Sequence, residues 1–148
     1  MSRLFDPVAF FNNDLEENAT VRIPNPEAQG LIGQVTKLAK VGGKSDKGDW
    51  HKLNCTIEFT DREYLAKVEG QPEKVTMTLG IMLEMNGEQI ATGPNKNVRL
   101  GKFREACGVN GKPLAALIGQ MARFDIKQKP HHEDPEVTVD EIVAFQPA

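Results

Sequence analysis

Apolar and polar residues alternate along several stretches of the chain, with the period of two that is typical of half-buried β-strands. The clearest stretch is residues 53–59, where Leu, Cys, Ile and Phe alternate with Asn, Thr and Glu. Residues 74–85 repeat the pattern over a longer strand. Further strands are predicted at residues 30–41, 120–129 and 136–146. Glycines inside the predicted strands at residues 30–41 and 74–85 indicate bends or bulges there.

Between the predicted strands at residues 74–85 and 120–129, the spacing of apolar residues changes from that of a strand to that of a helix. Leu100, Phe103 and Cys107 lie at helical spacing, and the sequence GVNG after them predicts the C-terminus of a helix. Pro113 suits the first position of a second short helix. Before the first helix, NGEQ predicts a tight hairpin turn into a short strand around Ile90.

This order of elements predicts a mainly β fold, a five-stranded OB-fold-like barrel with a helix between strands three and four. A generic antiparallel α+β domain is the alternative. We expect residues 29–148 to form the OB-fold domain. Residues 1–28 precede it as an N-terminal arm or lead-in segment, because prolines and a glycine separate them from the regular part of the chain.

Charge is distributed unevenly along the chain. The formal net charge is −3, which by itself argues against a nucleic-acid partner. Residues 28–130, however, carry sixteen Lys and Arg against eleven Asp and Glu, a formal charge of +5, whereas residues 131–148 carry five acids and no Lys or Arg. Local potential decides whether a phosphate chain is attracted, so the basic centre keeps nucleic acid open as a partner.

The sequence contains no pattern that predicts catalysis. A nucleophile elbow, a metalloprotease helix, a phosphate-binding loop and a dinucleotide fingerprint are all missing from it. The run from His131 to Asp134 has residue types that bind metals, but a metal site needs further ligands elsewhere in the chain, so we interpret the run as a solvated loop. We therefore expect no enzyme, no cofactor and no metal.

The compartment is predicted from three features. No apolar run approaches the roughly 20 residues that cross a bilayer. The N-terminus lacks the layout of a signal peptide, which favours a cytoplasmic protein without a membrane partner. Cys55 and Cys107 are isolated, and in a reducing compartment we expect both to be free core residues.

Trp50, the only tryptophan, has the parity of the polar residues of its strand and follows a segment rich in Gly and Lys. Unpaired nucleic acid is bound by cations that follow its backbone and by flat side chains on which bases stack. In an OB-fold, strands two and three and the loop between strands one and two form the ligand face. The competing interpretation is that Trp50 caps one end of the core. The candidate DNA-binding residues are Trp50 and Lys52 on the second strand, Lys37, Lys40, Lys44 and Lys47 before it, Arg62, Tyr64 and Lys67 after it, and Arg123 and Lys127 on the fourth strand.

Five segments carry a family resemblance: LFDP near the start, IPNPEAQGLIGQV at the first strand, KVGGKSDKGDWHKLNCTIEF, the helix L-x-x-F-R-E-A-C-G-V, and LIGQMARFDIKQ. Together they resemble the small OB-fold single-stranded-DNA-binding proteins of tailed bacteriophages. The resemblance implies protection of single-stranded DNA during phage replication and recombination in the host cytoplasm, with replication proteins as further partners. Many such proteins end in an acidic tail with a terminal aromatic, whereas the acids here lie within a predicted strand.

Two hypotheses for function follow. The first is a sequence-tolerant single-stranded-DNA-binding protein that stacks bases on exposed aromatic residues in a basic groove. The alternative is an OB-like module that contacts another protein and binds no nucleic acid. The sequence leaves a homodimer open under either hypothesis.

Overall fold

A computed structural model describes residues 23–148, so most of the predicted N-terminal arm lies outside the described residues. The elements are, in chain order, β1 (Ala28–Ser45), β2 (Gly48–Phe59), α1 (Arg62–Leu65), β3 (Val75–Leu83), β4 (Met85–Asn86), β5 (Gln89–Ile90), α2 (Val98–Ala106), a 3-10 turn (Leu114–Leu117), β6 (Met121–Pro130) and β7 (Thr138–Pro147).

The five long strands form one antiparallel sheet in the order β3-β2-β1-β6-β7. The short strands β4 and β5 pair with each other in a separate ribbon. The predicted mainly β class is therefore confirmed, and so are the five long strands that the alternation indicates. Among the described residues, α2 falls between β5 and β6 along the chain.

The core lies between the sheet and α2. Phe103 of α2 contacts Phe124 of β6, with ring centroids 6.2 Å apart, and Phe145 of β7, with centroids 5.0 Å apart. Phe59, at the end of β2, meets Phe124 edge to face at 5.7 Å. These rings form one cluster of aromatic side chains between opposite parts of the sheet. Their tilted and edge-to-face arrangements are favourable geometries for aromatic pairs.

Cys55 and Cys107 are both free and buried, as predicted. Burial disfavours the charged thiolate and raises the pKa of Cys55 to about 12, with a smaller contribution from the neighbouring Cys107. Burial also raises the pKa of Cys107 to about 11. Both thiols therefore behave as small apolar core groups at neutral pH.

β1 pairs with two different strands along its length. Residues 28–34 pair with β6, and residues 34–45 pair with β2. Gly33 packs so closely on the core that an added Cβ would lie 2.6 Å from Ile57 Cγ2, which explains a glycine in mid-strand. The register shifts between Val35 and Lys37, so one extra residue is accommodated there as a β-bulge.

The predicted Gly- and Lys-rich loop is mostly strand. β1 and β2 continue through it as a hairpin, and only Asp46 and Lys47 form the turn. Ser45 Oγ donates to the carbonyl of Gly48, which adopts a φ of +112° that favours glycine. Beyond Val35, β1 pairs with no second strand among residues 23–148, so one border of the hairpin is open.

The described end of the lead-in segment, residues 23–27, is fastened to the body. The Asn25 amide donates to Asp140 Oδ2 at 2.6 Å, and the Gln128 amide donates to Glu27 Oε2 at 2.9 Å. The Tyr64 hydroxyl donates to the Pro26 carbonyl at 2.8 Å. This short segment is therefore held by side chains from α1 and β7 and by a backbone amide of β6.

Candidate nucleic-acid interface

The polar residues that alternate along β2 lie on the outer face of the strand. Leu53, Cys55, Ile57 and Phe59 are buried, which turns the alternate residues outward. Antiparallel pairing places residues that are directly opposite each other on the same face. The face around Trp50 is therefore made by Trp50, Lys52, Asn54, Thr56 and Glu58 of β2, by Lys37, Ala39, Val41 and Gly43 of β1, and by Thr76, Thr78, Gly80 and Met82 of β3.

Trp50 lies across a glycine of the neighbouring strand. Its cross-strand partner is Gly43, and a Cβ added to Gly43 would come within 2.9 Å of indole atoms Cε2, Cζ2 and Nε1. The absent side chain is what lets the ring settle on the strand. Trp50 is half-buried on the outer face and is not among the residues of the core cluster. The indole is thus supported from below and partly open to solvent.

The Lys52 side chain lies between the Trp50 ring and strand β3. Its Nζ lies 6.0 Å from the centre of the Trp50 ring, within the range of a weak cation–π contact. Its stem passes over Gly80, where an added Cβ would lie 3.0 Å from Lys52 Cδ. Met82, directly opposite Lys52, leaves 58% of its surface exposed. The side chains of Trp50, Lys52 and Met82 form an apolar patch with one ammonium group.

The four loop lysines are divided between the two faces of the hairpin. Lys37 pairs with Thr56 and shares the Trp50 face. Lys40 and Lys44 have the opposite parity, and Lys47 lies in the turn. The division follows from spacing, because Lys40 and Lys44 lie three and seven residues after Lys37, and successive strand residues alternate between the two faces. The bulge between Val35 and Lys37 decides which of the two faces each lysine takes. Residues 37–52 contain five lysines and two aspartates, so the hairpin carries a formal charge of +3.

Tyr64 was predicted on the binding surface, and that prediction is wrong. Asp61 caps α1 by accepting from the Tyr64 amide at 2.9 Å, which turns the phenol ring inward against Phe59. Tyr64 is only 5% exposed, and its hydroxyl is taken up by Pro26. Burial raises the pKa of Tyr64 to about 12, with an added contribution from Asp140. The ring is a core residue that cannot stack a base.

Arg62 and Lys67 are exposed but distant from the indole. They follow Phe59, at the opposite end of β2 from Trp50, and nine strand residues span about 30 Å. Arg62 instead lines a surface cleft with Gln71 and Glu73. These two cations therefore lie outside the face around Trp50.

Arg123 and Lys127 are also remote from Trp50. Arg123 lies opposite Ile32 on β1, whereas Trp50 lies opposite Gly43, which is about 35 Å further along the strand if it were straight. Arg123 donates to the Gly30 carbonyl at 3.1 Å. Lys127 is exposed at the far end of β6. The structure thus keeps Trp50, Lys52 and Lys37 on one face and leaves the other predicted residues elsewhere.

Sequence reasoning did not select Gly43, Gly80 or Asn54 for the site. Each depends on cross-strand register, since Gly43 faces Trp50 and Gly80 faces Asn54. The pair of glycines at 42–43 close to the only tryptophan is the one sequence signal that pointed there.

The loop with two histidines is not assembled into a metal site. The His131 and His132 rings stack with centroids 4.7 Å apart, and His132 Nε2 lies 3.5 Å from Glu133 Oε1. Within residues 23–148, no three His, Cys, Asp or Glu side chains are grouped so that they could hold a metal ion.

Comparison of the chain with protein-family models, with curated proteins and with solved structures finds no match. In the part of the chain that the structure describes, the helices are too short or too polar to span a membrane.

Proposed function

We propose that this chain is a sequence-tolerant single-stranded-DNA-binding protein and that it binds DNA on the face around Trp50. The observation that carries the proposal is the indole supported on Gly43 and partly open to solvent, with the Lys52 ammonium 6.0 Å from the ring centre. A flat ring beside a cation provides the two interactions that unpaired DNA requires, a stacking surface and a partner for phosphate.

The strand order supports a finer description of the fold as an OB-like barrel. A sheet in the order β3-β2-β1-β6-β7 becomes a partly open five-stranded barrel when β3 and β7 close on each other. Arg99 links these two edges, since it donates to the Gly80 carbonyl of β3 and lies over Phe145 of β7. The face around Trp50 then corresponds to the ligand face of an OB-fold.

The partners that fit this proposal are single-stranded DNA and the replication proteins of a phage-infected cell, with action in the host cytoplasm during replication, recombination or repair. The protein acts by binding alone, without catalysis. A homodimer would add a second face and raise the apparent affinity for long strands.

The test is a fluorescence titration with oligo(dT), because Trp50 is the only tryptophan. We expect quenching, a preference for single strands over duplex, and an affinity that falls with salt by a log–log slope of about −0.7 for each neutralised phosphate. Trp50→Ala, followed by gel shift, should lose about 1–3 kcal/mol of binding free energy.

Two lysine variants make the test specific. Lys52→Gln should weaken binding and flatten the salt dependence, whereas Lys127→Gln, an exposed site far from the indole, should change neither. Emission that stays constant during saturating binding would remove Trp50 from the interface. Failure to bind any oligonucleotide at low salt would overturn the proposal itself.

One observation favours the alternative, a module that binds another protein. Ile32 and Met121 leave 37% and 49% of their surfaces exposed and line the same cleft of the outer face. Apolar side chains that share an exposed cleft are typical of protein contacts. This alternative predicts that oligonucleotides have no effect, while Met121→Lys abolishes capture of a protein partner.

A further inference from the structure

At the centre of the face around Trp50 lies a notch. Asn54 of β2 has Ala39 of β1 on one side and Gly80 of β3 on the other, and these partners have the two smallest kinds of side chain. Larger groups stand on either side along β2, with Lys52 towards the indole and Thr56 towards the other end. The Asn54 amide therefore has no large side chain beside it on either neighbouring strand.

The side-chain oxygen of Asn54, Oδ1, has no hydrogen-bond partner among the described residues. Among residues 23–148, Oδ1 is screened from solvent and accepts no hydrogen bond. Buried polar atoms are nearly always paired, and an unpaired acceptor is costly, so an exception of this kind calls for an explanation. A ligand that brings a donor to this atom would remove the cost.

The apolar stem of Lys52 occupies the space beside this oxygen. A Cβ added to Gly80 would lie 3.0 Å from Lys52 Cδ and 3.5 Å from Asn54 Oδ1, so the two side chains share the volume above the glycine. The stem screens Oδ1 but offers it no hydrogen. A lysine stem is flexible, so movement of this one side chain towards a phosphate would open the space beside Asn54 Oδ1.

We infer that Asn54 accepts a hydrogen bond from the Watson–Crick edge of an unpaired base and thereby selects single strands over duplex. The inference rests on the proposed function. Every base presents an N–H group on that edge, so the contact is sequence-tolerant. In a duplex the same edge is paired with the opposite strand, which denies the hydrogen to Asn54.

The position of Asn54 suits a base near the one that stacks on Trp50. The two residues are four apart on the same face of β2, about 13 Å along the strand. A single strand that lies along β2 would place one base on the indole and a later one over the notch, with the Lys52 ammonium between them for phosphate.

The test compares short oligo(dT) with the same oligonucleotide made from N3-methylthymidine, which keeps the ring but has lost the N3 hydrogen. For the wild-type protein we expect about tenfold weaker binding of the methylated strand, the scale of one good base contact. For Asn54→Leu, the ratio of the two affinities should be smaller, because only the steric effect of the methyl group remains. The steric effect of the methyl group is common to both proteins, so the readout is the difference between the two ratios.

Two further variants guard the comparison. Asn54→Val supplies a residue with higher strand propensity and no acceptor in case the leucine variant folds poorly, and it should also lose the discrimination. Thr56→Val, one position along the same face, should keep the wild-type ratio. Each variant is checked by its thermal unfolding before titration.

The outcomes separate the two proposals. If oligo(dT) binds and quenches Trp50 but Asn54→Leu keeps the wild-type ratio, the role of Asn54 is overturned while the proposed function stands. If wild-type protein binds both strands equally, the role is overturned as well. If no oligonucleotide binds, both proposals fall together.

Discussion

Arg99 of α2 donates from Nη1 to the carbonyl oxygen of Gly80 in β3, over 2.9 Å. The same guanidinium lies 5.9 Å from the centre of the Phe145 ring in β7. The guanidinium donates a hydrogen bond to a strand carbonyl and at the same time lies over an aromatic ring, as its charge and planar shape allow. Arg99 thus connects the two border strands of the sheet from the helix that lies beside them.

Replacing Arg99 should therefore loosen this connection. We expect Arg99→Ala to lower the free energy of unfolding by about 1 kcal/mol, the usual net value of one hydrogen bond. Urea unfolding should show a lower midpoint with an unchanged slope. Lys102→Ala, at an exposed cation on the same helix, is the matched control and should leave the midpoint in place. An equal shift for both variants would contradict the role given to Arg99.

Stability should fall at alkaline pH because three buried groups resist losing a proton. The pKa of Cys55 and Tyr64 is raised to about 12 and that of Cys107 to about 11, from ordinary values of 9.0 for the thiols and 10.0 for the phenol. The unfolded chain releases these protons at lower pH than the folded chain does. The stabilisation is thus complete below about pH 9 and declines between pH 9 and 12.

Tyr64→Phe provides the control for this pH dependence. The variant loses the hydrogen bond to Pro26, so we expect about 1 kcal/mol less stability at pH 7. The decline between pH 10 and 12 should also be smaller in this variant, because the contribution of the phenol is gone while that of the thiols persists. Chemical denaturation at a series of pH values measures both effects. A wild-type protein whose stability is constant up to pH 12 would refute this account.

Adding one methyl group to the support of the indole should disturb the proposed site. In Gly43→Ala the new Cβ would meet three indole atoms at 2.9 Å, so the ring must move away from the strand. We expect a change in the emission of Trp50 in the free protein and a loss of at least about 1 kcal/mol in oligo(dT) binding. Unchanged emission would show that the ring does not rest on Gly43.

The same substitution in an open place should have the opposite effect on stability. Gly101 lies within α2, and an added Cβ there would meet no atom of the described structure within 4 Å apart from its own helix and neighbours. Gly101→Ala should stabilise the protein by up to about 1 kcal/mol, because alanine has less freedom to lose in a helix. Thermal unfolding measures the gain, and oligo(dT) affinity should remain that of the wild type.

The strands could be predicted because their alternation reflects burial directly. Leu53 to Phe59 show it most clearly, since each apolar residue of that stretch is buried in the structure. The two faces of β1 could not be predicted from periodicity, because the bulge after Val35 reverses the parity for Lys40 and Lys44. A bulge is decided by pairing with β2, which the sequence of β1 alone does not contain.

The candidate site was predictable only where it follows from parity. Trp50 and Lys52 share a face because they are two residues apart in one strand. Tyr64 was misplaced because its direction is decided by the cap at Asp61 and by the carbonyl of Pro26, which is distant in sequence. The notch at Asn54 needs the register of three strands, and no local pattern reveals it.

The open border of the hairpin has a consequence for self-association. From Lys37 to Ser45, β1 has a strand neighbour on one side only within the described chain, so its other side presents backbone groups that a second copy could pair with. Lys37, Lys40 and Lys44 are distributed along this stretch. Two such borders brought together would set ammonium groups against one another. We therefore expect the same lysines that would attract a polyanion to oppose edge-to-edge pairing of two hairpins.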